Sequence, residues 1–255
     1  MASKRPQVLI LGSAPSAVAA RDWPRQAFTH IVAINNAWRI RPDWDVLIHP
    51  EDFPVKNRPT DLSPGQNIVT AKDYVPLQNK YGGFVYAGGT MAFTAGYWAL
   101  GALKPAVLAY FGCDMIYPGS GKTHFYGTGT ADPLRGDVTL RSLEAKSARL
   151  ALFGAAQNCS VVRLSSGESR LVFPAATQDD LPASFPNAKS MKAPLAREAE
   201  LGYFVSSDAT GRSRTGLTLK RSTRWINCGW KPMKGPDWPV RRDRIAVFRP
   251  QCALF

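Results

Sequence analysis

One stretch constrains the fold of this chain more than any other. Gly88-Gly89-Thr90-Met91 opens an apolar helical pattern over 91–103, which Lys104-Pro105 ends. A β-branched and aromatic run, Ala106 to Phe111, follows and stops at Gly112-Cys113-Asp114. Amides left unpaired at a helix start cradle an anion, and open α/β sheets place ligands at the carboxyl ends of their strands. The N-terminus repeats this logic. Val8-Leu9-Ile10-Leu11 reads as a buried strand, and Gly12-Ser13-Ala14-Pro15-Ser16 as a tight turn able to start a helix. Two such turns in one sheet predict a nucleotide site.

Short apolar runs bounded by turn residues mark further strands at 29–34, 46–48, 67–70 and 160–164. A second helical pattern runs over about 138–157, with Leu140, Leu143, Leu150 and Phe153 among its apolar positions and Asp137 as its expected N-cap. Strands alternating with helices predict an α/β fold, a doubly wound, mostly parallel sheet of Rossmann-like type. Pro182, Pro186 and Pro194 interrupt the pattern before one last helix at 195–204. The expected organisation is a nucleotide-binding domain over 1–174, then a linker and helix packing on it over 175–205. A basic, irregular extension follows over 206–255.

That extension carries 11 Lys/Arg against 3 Asp/Glu, so it holds +8 of the chain's net +13. Its arginines, with Trp225, Trp230 and Trp238, suit an anionic partner such as nucleic acid, or equally a solvated tail. The four cysteines have neither metal-ligand nor disulfide spacing, which favours a reducing, cytoplasmic setting. No basic, apolar and small-residue order of a signal peptide opens the chain. Lys104-Pro105 breaks the longest apolar region, so no transmembrane segment is expected.

The order strand-Gly-x-x-Pro-Ser, strand-Asn, Pro-Asp through His-Pro, Gly-rich turn-helix, strand-Gly-x-Asp resembles a known group. In this chain the pieces are Gly12 to Ser16, Asn35-Asn36, Pro42-Asp43 through His49-Pro50, Gly88-Gly89-Thr90 and Gly112-Cys113-Asp114. They are similar to the family-42 sialyltransferases and the related DUF115 proteins. The latter include motility-accessory glycosyltransferases and an archaeal pterin pyrophosphokinase. The resemblance covers about residues 7–172. It implies nucleotide binding by Gly12, Ser13 and Ser16 of the first turn and by Asn35 after the second strand. It extends that role to Gly88, Gly89 and Thr90 of the Gly-rich turn and to Gly112 and Asp114 after the fifth strand. It also implies catalysis by His124 as general base, with Tyr117 and Tyr126 supporting the departing phosphate. The chain departs from the sialyltransferases at Ser13, where they carry Asn, and at Gly88-Gly89-Thr90, where they carry Thr-Ser-Gly.

Asp43-Trp44-Asp45 mimics the metal-carrying Asp-x-Asp of many glycosyltransferases. It precedes a strand instead of ending one, which favours a solvated turn. His49, Glu51 and Asp52 end the third strand, where a cation or ligand would be met. Arg135 and Arg141 suit bidentate grip of a phosphate or carboxylate, or plain surface charge.

The expectation is a nucleotide-sugar-dependent glycosyltransferase, with a CMP-sugar favoured as donor and a glycan or small hydroxyl compound as acceptor. It requires no cofactor and no metal. The alternatives are a pyrophosphokinase-like phosphoryl transferase, needing Mg²⁺ on Glu51, Asp52 or Asp114, and a non-enzymatic nucleotide- or nucleic-acid-binding protein.

Overall fold

Six short strands form one all-parallel sheet in a computed structural model, which describes residues 5–118, 120–128, 140, 142–181 and 191–201. They are β1 (Gln7–Leu11), β2 (His30–Ile34), β3 (Val46–Ile48), β4 (Asn67–Val69), β5 (Val107–Phe111) and β6 (Ser160–Arg163), ordered β4-β3-β2-β1-β5-β6. The chain winds outward from β1 to β4, crosses back, and continues on the other side through β5 and β6. The order therefore reverses between β1 and β5, which is where open sheets of this kind leave a crevice. The fold is the Rossmann-like α/β sheet expected from the alternation of apolar runs.

Alternate residues of each strand enter different cores. Val8, Ile10, Val32, Ile34, Val46, Ile48, Leu108 and Tyr110 pack against the α-helices. Leu9, Leu11, Ile31, Ala33, Leu47, Ala109 and Phe111 pack on the opposite face. Burial on both faces explains why these strands read as continuous apolar runs.

The two faces are covered differently. α1 (Ala71–Lys80), α2 (Gly83–Ala87), α3 (Met91–Ala102) and α4 (Leu143–Ala156) all contribute to the first core. Short 3-10 segments cover the second: Pro15–Asp22 supplies Ala17 and Ala20, and Asn35–Arg39 supplies Ala37. The turn at Gly12 to Ser16 thus starts a 3-10 segment and not the α-helix it suggested, with Pro15 at its first position.

Two helix readings change. α1 was not apparent from periodicity, and Pro76 inside it argues against a helix. Its start is nevertheless written in Thr70-x-x-Asp73, where Asp73 Oδ2 accepts from Thr70 N at 2.9 Å. α4 begins at Leu143, capped by Ser142, whose Oγ accepts from Ala145 N at 3.3 Å. The expected cap Asp137 lies outside the described residues, as do Arg135, Arg141 and the whole basic extension 206–255.

A last helix, α5 (Lys192–Leu201), is fastened by a buried ion pair. Arg149 of α4 donates to both Glu198 carboxylate oxygens, at 2.8 and 2.6 Å, and to Tyr97 Oη at 3.0 Å. Its guanidinium also lies 4.5 Å from the Phe153 ring centre. Removing one partner of such a pair strands the other charge in the core, which costs far more than replacing both. Arg149→Met is expected to lose about 3–5 kcal/mol of unfolding free energy. The double variant Arg149→Met/Glu198→Leu should recover most of it, as read from urea denaturation midpoints.

Candidate functional site

The carboxyl ends of β1 and β5 are joined backbone to backbone. Gly12 N donates to Phe111 O at 2.8 Å, and Ala14 N donates to Gly112 O at 3.0 Å. No side chain fits between them. A Cβ on Gly12 would run into the Gly112 carbonyl oxygen and stand 2.5 Å from Cys113 Sγ. A Cβ on Gly112, whose φ is +68°, would stand 2.6 Å from Ala17 Cβ. These two glycines thus serve the seam first. Beside it, burial and the Asp114 charge push the Cys113 thiol far up, so it is no nucleophile.

The loop carrying His124 is pinned on this seam. Phe125 N donates to Ser13 O at 3.0 Å, and His124 and Gly127 exchange backbone bonds of 3.0 and 3.1 Å. The three expected catalytic side chains come together there. The His124 ring stacks on Tyr126, with centres 5.0 Å apart and planes 21° apart, and Tyr117 lies 6.2 Å from it on a tilted plane. Thr123 Oγ1 is 2.9 Å from His124 Nδ1. Partial burial pulls the His124 pKa below its ordinary 6.5, so the ring is neutral at pH 7.

The expected nucleotide-binding residues also gather at the carboxyl edge, with mixed local roles. Asp114, after β5, is half-buried and accepts a short hydrogen bond from Ser165 Oγ. Ser165 was not anticipated; its position just past the end of β6, the strand beside β5, was the available signal. Ser16 is exposed on the first turn of its 3-10 segment. Gly88 closes α2 at φ +104°, and a Cβ there would meet Phe93 and Lys146 within 3 Å. Thr90 is the N-cap of α3, its Oγ1 accepting from Phe93 N at 3.3 Å, with Gly89 half-buried beside it. Asn35 sits at the end of β2 in the left-handed region, φ +50°, and its buried Oδ1 has no partner among the described residues.

The acidic candidates are spoken for or exposed. Arg41 grips both Asp43 oxygens, at 2.6 and 2.7 Å, and this holds the Asp43 carboxyl below its usual range. Arg25 grips both Asp45 oxygens at 2.8 Å, and Ile31 N donates to Asp45 at 2.6 Å. Glu51 and Asp52 are exposed. Among the described residues no group of three or more His, Cys, Asp or Glu side chains converges, and no helix is long and apolar enough to cross a membrane.

Comparison with known protein families, curated proteins and solved structures finds no match.

The seam separates a packing role for glycine from a ligand role. Gly12→Ala is expected to cost about 1–3 kcal/mol through overpacking. Gly112→Ala should cost about 1 kcal/mol more, because its φ also disfavours a side chain. Both losses are read from urea unfolding of the ligand-free protein.

Proposed function

We propose that this chain is a transferase that moves a sugar from a nucleotide-linked donor to an acceptor hydroxyl. The observation that carries this reading is the His124 ring stacked with Tyr126 and flanked by Tyr117, on a loop hydrogen-bonded to the first turn at the point where strand order reverses. A neutral imidazole beside a ligand crevice is suited to take a hydroxyl proton. With Nδ1–H donating to Thr123, Nε2 carries the lone pair that accepts it. The acceptor oxygen then bonds to the donor's anomeric carbon as the bond to the phosphate oxygen breaks. The nucleotide leaves with that electron pair, and a single displacement inverts the carbon. The phenols of Tyr117 and Tyr126 and the amides at the start of α3 are the groups available to the developing phosphate charge. Asp114, fixed by Ser165, is suited to ribose hydroxyls.

A thermal-shift panel of CMP, CDP, UDP, GDP, ADP and ATP, each with and without Mg²⁺, tests the reading. Ligand at a hundred times its Kd stabilises the folded state by about 2.7 kcal/mol, a rise of roughly 5–10 °C for a chain of this size. The expected result is a metal-independent rise with CMP or CDP that disappears in Asp114→Ala. A rise confined to ATP with Mg²⁺ would transfer the site to phosphoryl transfer, and none with any nucleotide would sink the proposal.

Catalysis through neutral His124 also sets a pH profile. Transfer rate should climb with pH through a midpoint below 6.5 and stay level at neutral pH. His124→Ala should abolish that limb and lower the rate by about 10²–10⁴-fold.

A further inference from the structure

Among the described residues, three buried hydrogen-bond acceptors stand without a partner at the neighbouring ends of β2 and β3. They are Asn35 Oδ1, Asn36 Oδ1 and His49 Nε2. Ile34 pairs with Ile48 in the sheet, so Asn35 and His49 are adjacent across the strand ends. His49 is 1% exposed and Asn36 6%. The His49 tautomer follows from its other nitrogen. Nδ1 lies 2.8 Å from Pro50 O, a carbonyl that only accepts, so in the neutral ring Nδ1 carries the hydrogen and Nε2 the lone pair. A cluster of three acceptors calls for donors. Buried polar atoms in folded proteins are otherwise almost always paired. At the same edge Asp114 accepts from Ser165 Oγ, and at the opposite, amino end of β3 Asp43 and Asp45 each hold an arginine.

We infer that the ends of β2 and β3 form a recognition subsite, with His49 and Asn36 reading the N–H or O–H donors of a bound nucleoside. The nucleoside itself rests on the proposed function; the donor selectivity rests on these atoms. The exocyclic amine of cytosine or adenine and the ribose hydroxyls are donors of this kind. A carbonyl in the same place, such as uracil O4, would set acceptor against acceptor. Phe53 lies on the His49 ring at 5.1 Å, and Trp38 Nε1 donates to Asn57 O at 2.9 Å. The segment 50–57 is therefore folded over this edge, and admission of the ligand group requires it to lift.

The test measures affinity by calorimetry for CMP, UMP and dCMP, or for AMP, IMP and dAMP where the purine binds instead. Weaker binding of UMP or IMP, by roughly tenfold or more, assigns the amine, and weaker binding of the deoxynucleotide assigns the ribose. In His49→Phe, which keeps the ring contact and removes the acceptor, that discrimination should vanish. The ligand-free melting temperature should stay close to that of the parent chain, because loss of the Nδ1 hydrogen bond to Pro50 O is offset by replacing an unpaired buried acceptor with an apolar ring. Asn36→Leu makes the same test from the neighbouring strand end should His49→Phe not fold by far-UV circular dichroism. Equal binding of all three nucleotides, or undiminished discrimination in the folded variant, overturns this inference and leaves the proposed function standing. No binding of any nucleotide by the parent chain overturns both.

Discussion

The contact on which the rest of the molecule depends is the seam between β1 and β5, two backbones close enough to leave no room for a Cβ on Gly12 or Gly112. Two hydrogen bonds close it, and the order of the sheet reverses across it. The seam holds the first turn in a fixed position, and the carbonyl of Ser13 in that turn holds the His124 loop. A contact that looks like simple close packing therefore sets where the imidazole, the two tyrosines and Asp114 stand relative to one another. Glycine at these two positions is a requirement of geometry before it is a requirement of chemistry.

Polar groups at the two ends of the sheet divide into two kinds. At the amino end of β3 the carboxylates are answered inside the protein, Asp43 by Arg41 and Asp45 by Arg25, while at the carboxyl edge Asp114 accepts from Ser165. An answered carboxylate has its lone pairs occupied and is a poor start for a metal site. Others, Asn35 Oδ1, Asn36 Oδ1 and His49 Nε2, have no partner among the described residues. Leaving a buried acceptor unpaired costs about 1–3 kcal/mol, so a fold keeps such groups at the expense of its own stability. Away from this edge the same chain shows how completely it can satisfy a buried charge, with Arg149 held by Glu198, Tyr97 and the Phe153 face.

Much of this was legible in the residues. Strands buried on both faces wrote themselves as apolar runs, and the breaks at Lys104-Pro105 and Gly112 bounded α3 and β5 correctly. α1 was hidden because Pro76 removes a helix donor and its apolar spacing is weak, although Thr70 and Asp73 announce its first turn. The turn after β1 read as a helix start, but its covering segment is 3-10, a distinction that depends on how the turn packs on Leu9 and Leu11. His124, Tyr117 and Tyr126 were named together through the resemblance, but the backbone bond from Phe125 to Ser13 that pins their loop on the first turn has no sequence signature.

The sequence by itself determined the class of fold, because continuous apolar runs, helix breaks and glycine turns are local properties that each stretch carries alone. It also determined which end of the sheet would bear the polar residues, since these follow the strands in chain order. Only the tertiary structure decided which glycines are needed for packing, which carboxylates are neutralised by arginine, and which buried acceptors remain unpaired. Those outcomes depend on groups such as Gly12 and Gly112, or Asp114 and Ser165, that are distant in the chain and meet only when the sheet closes.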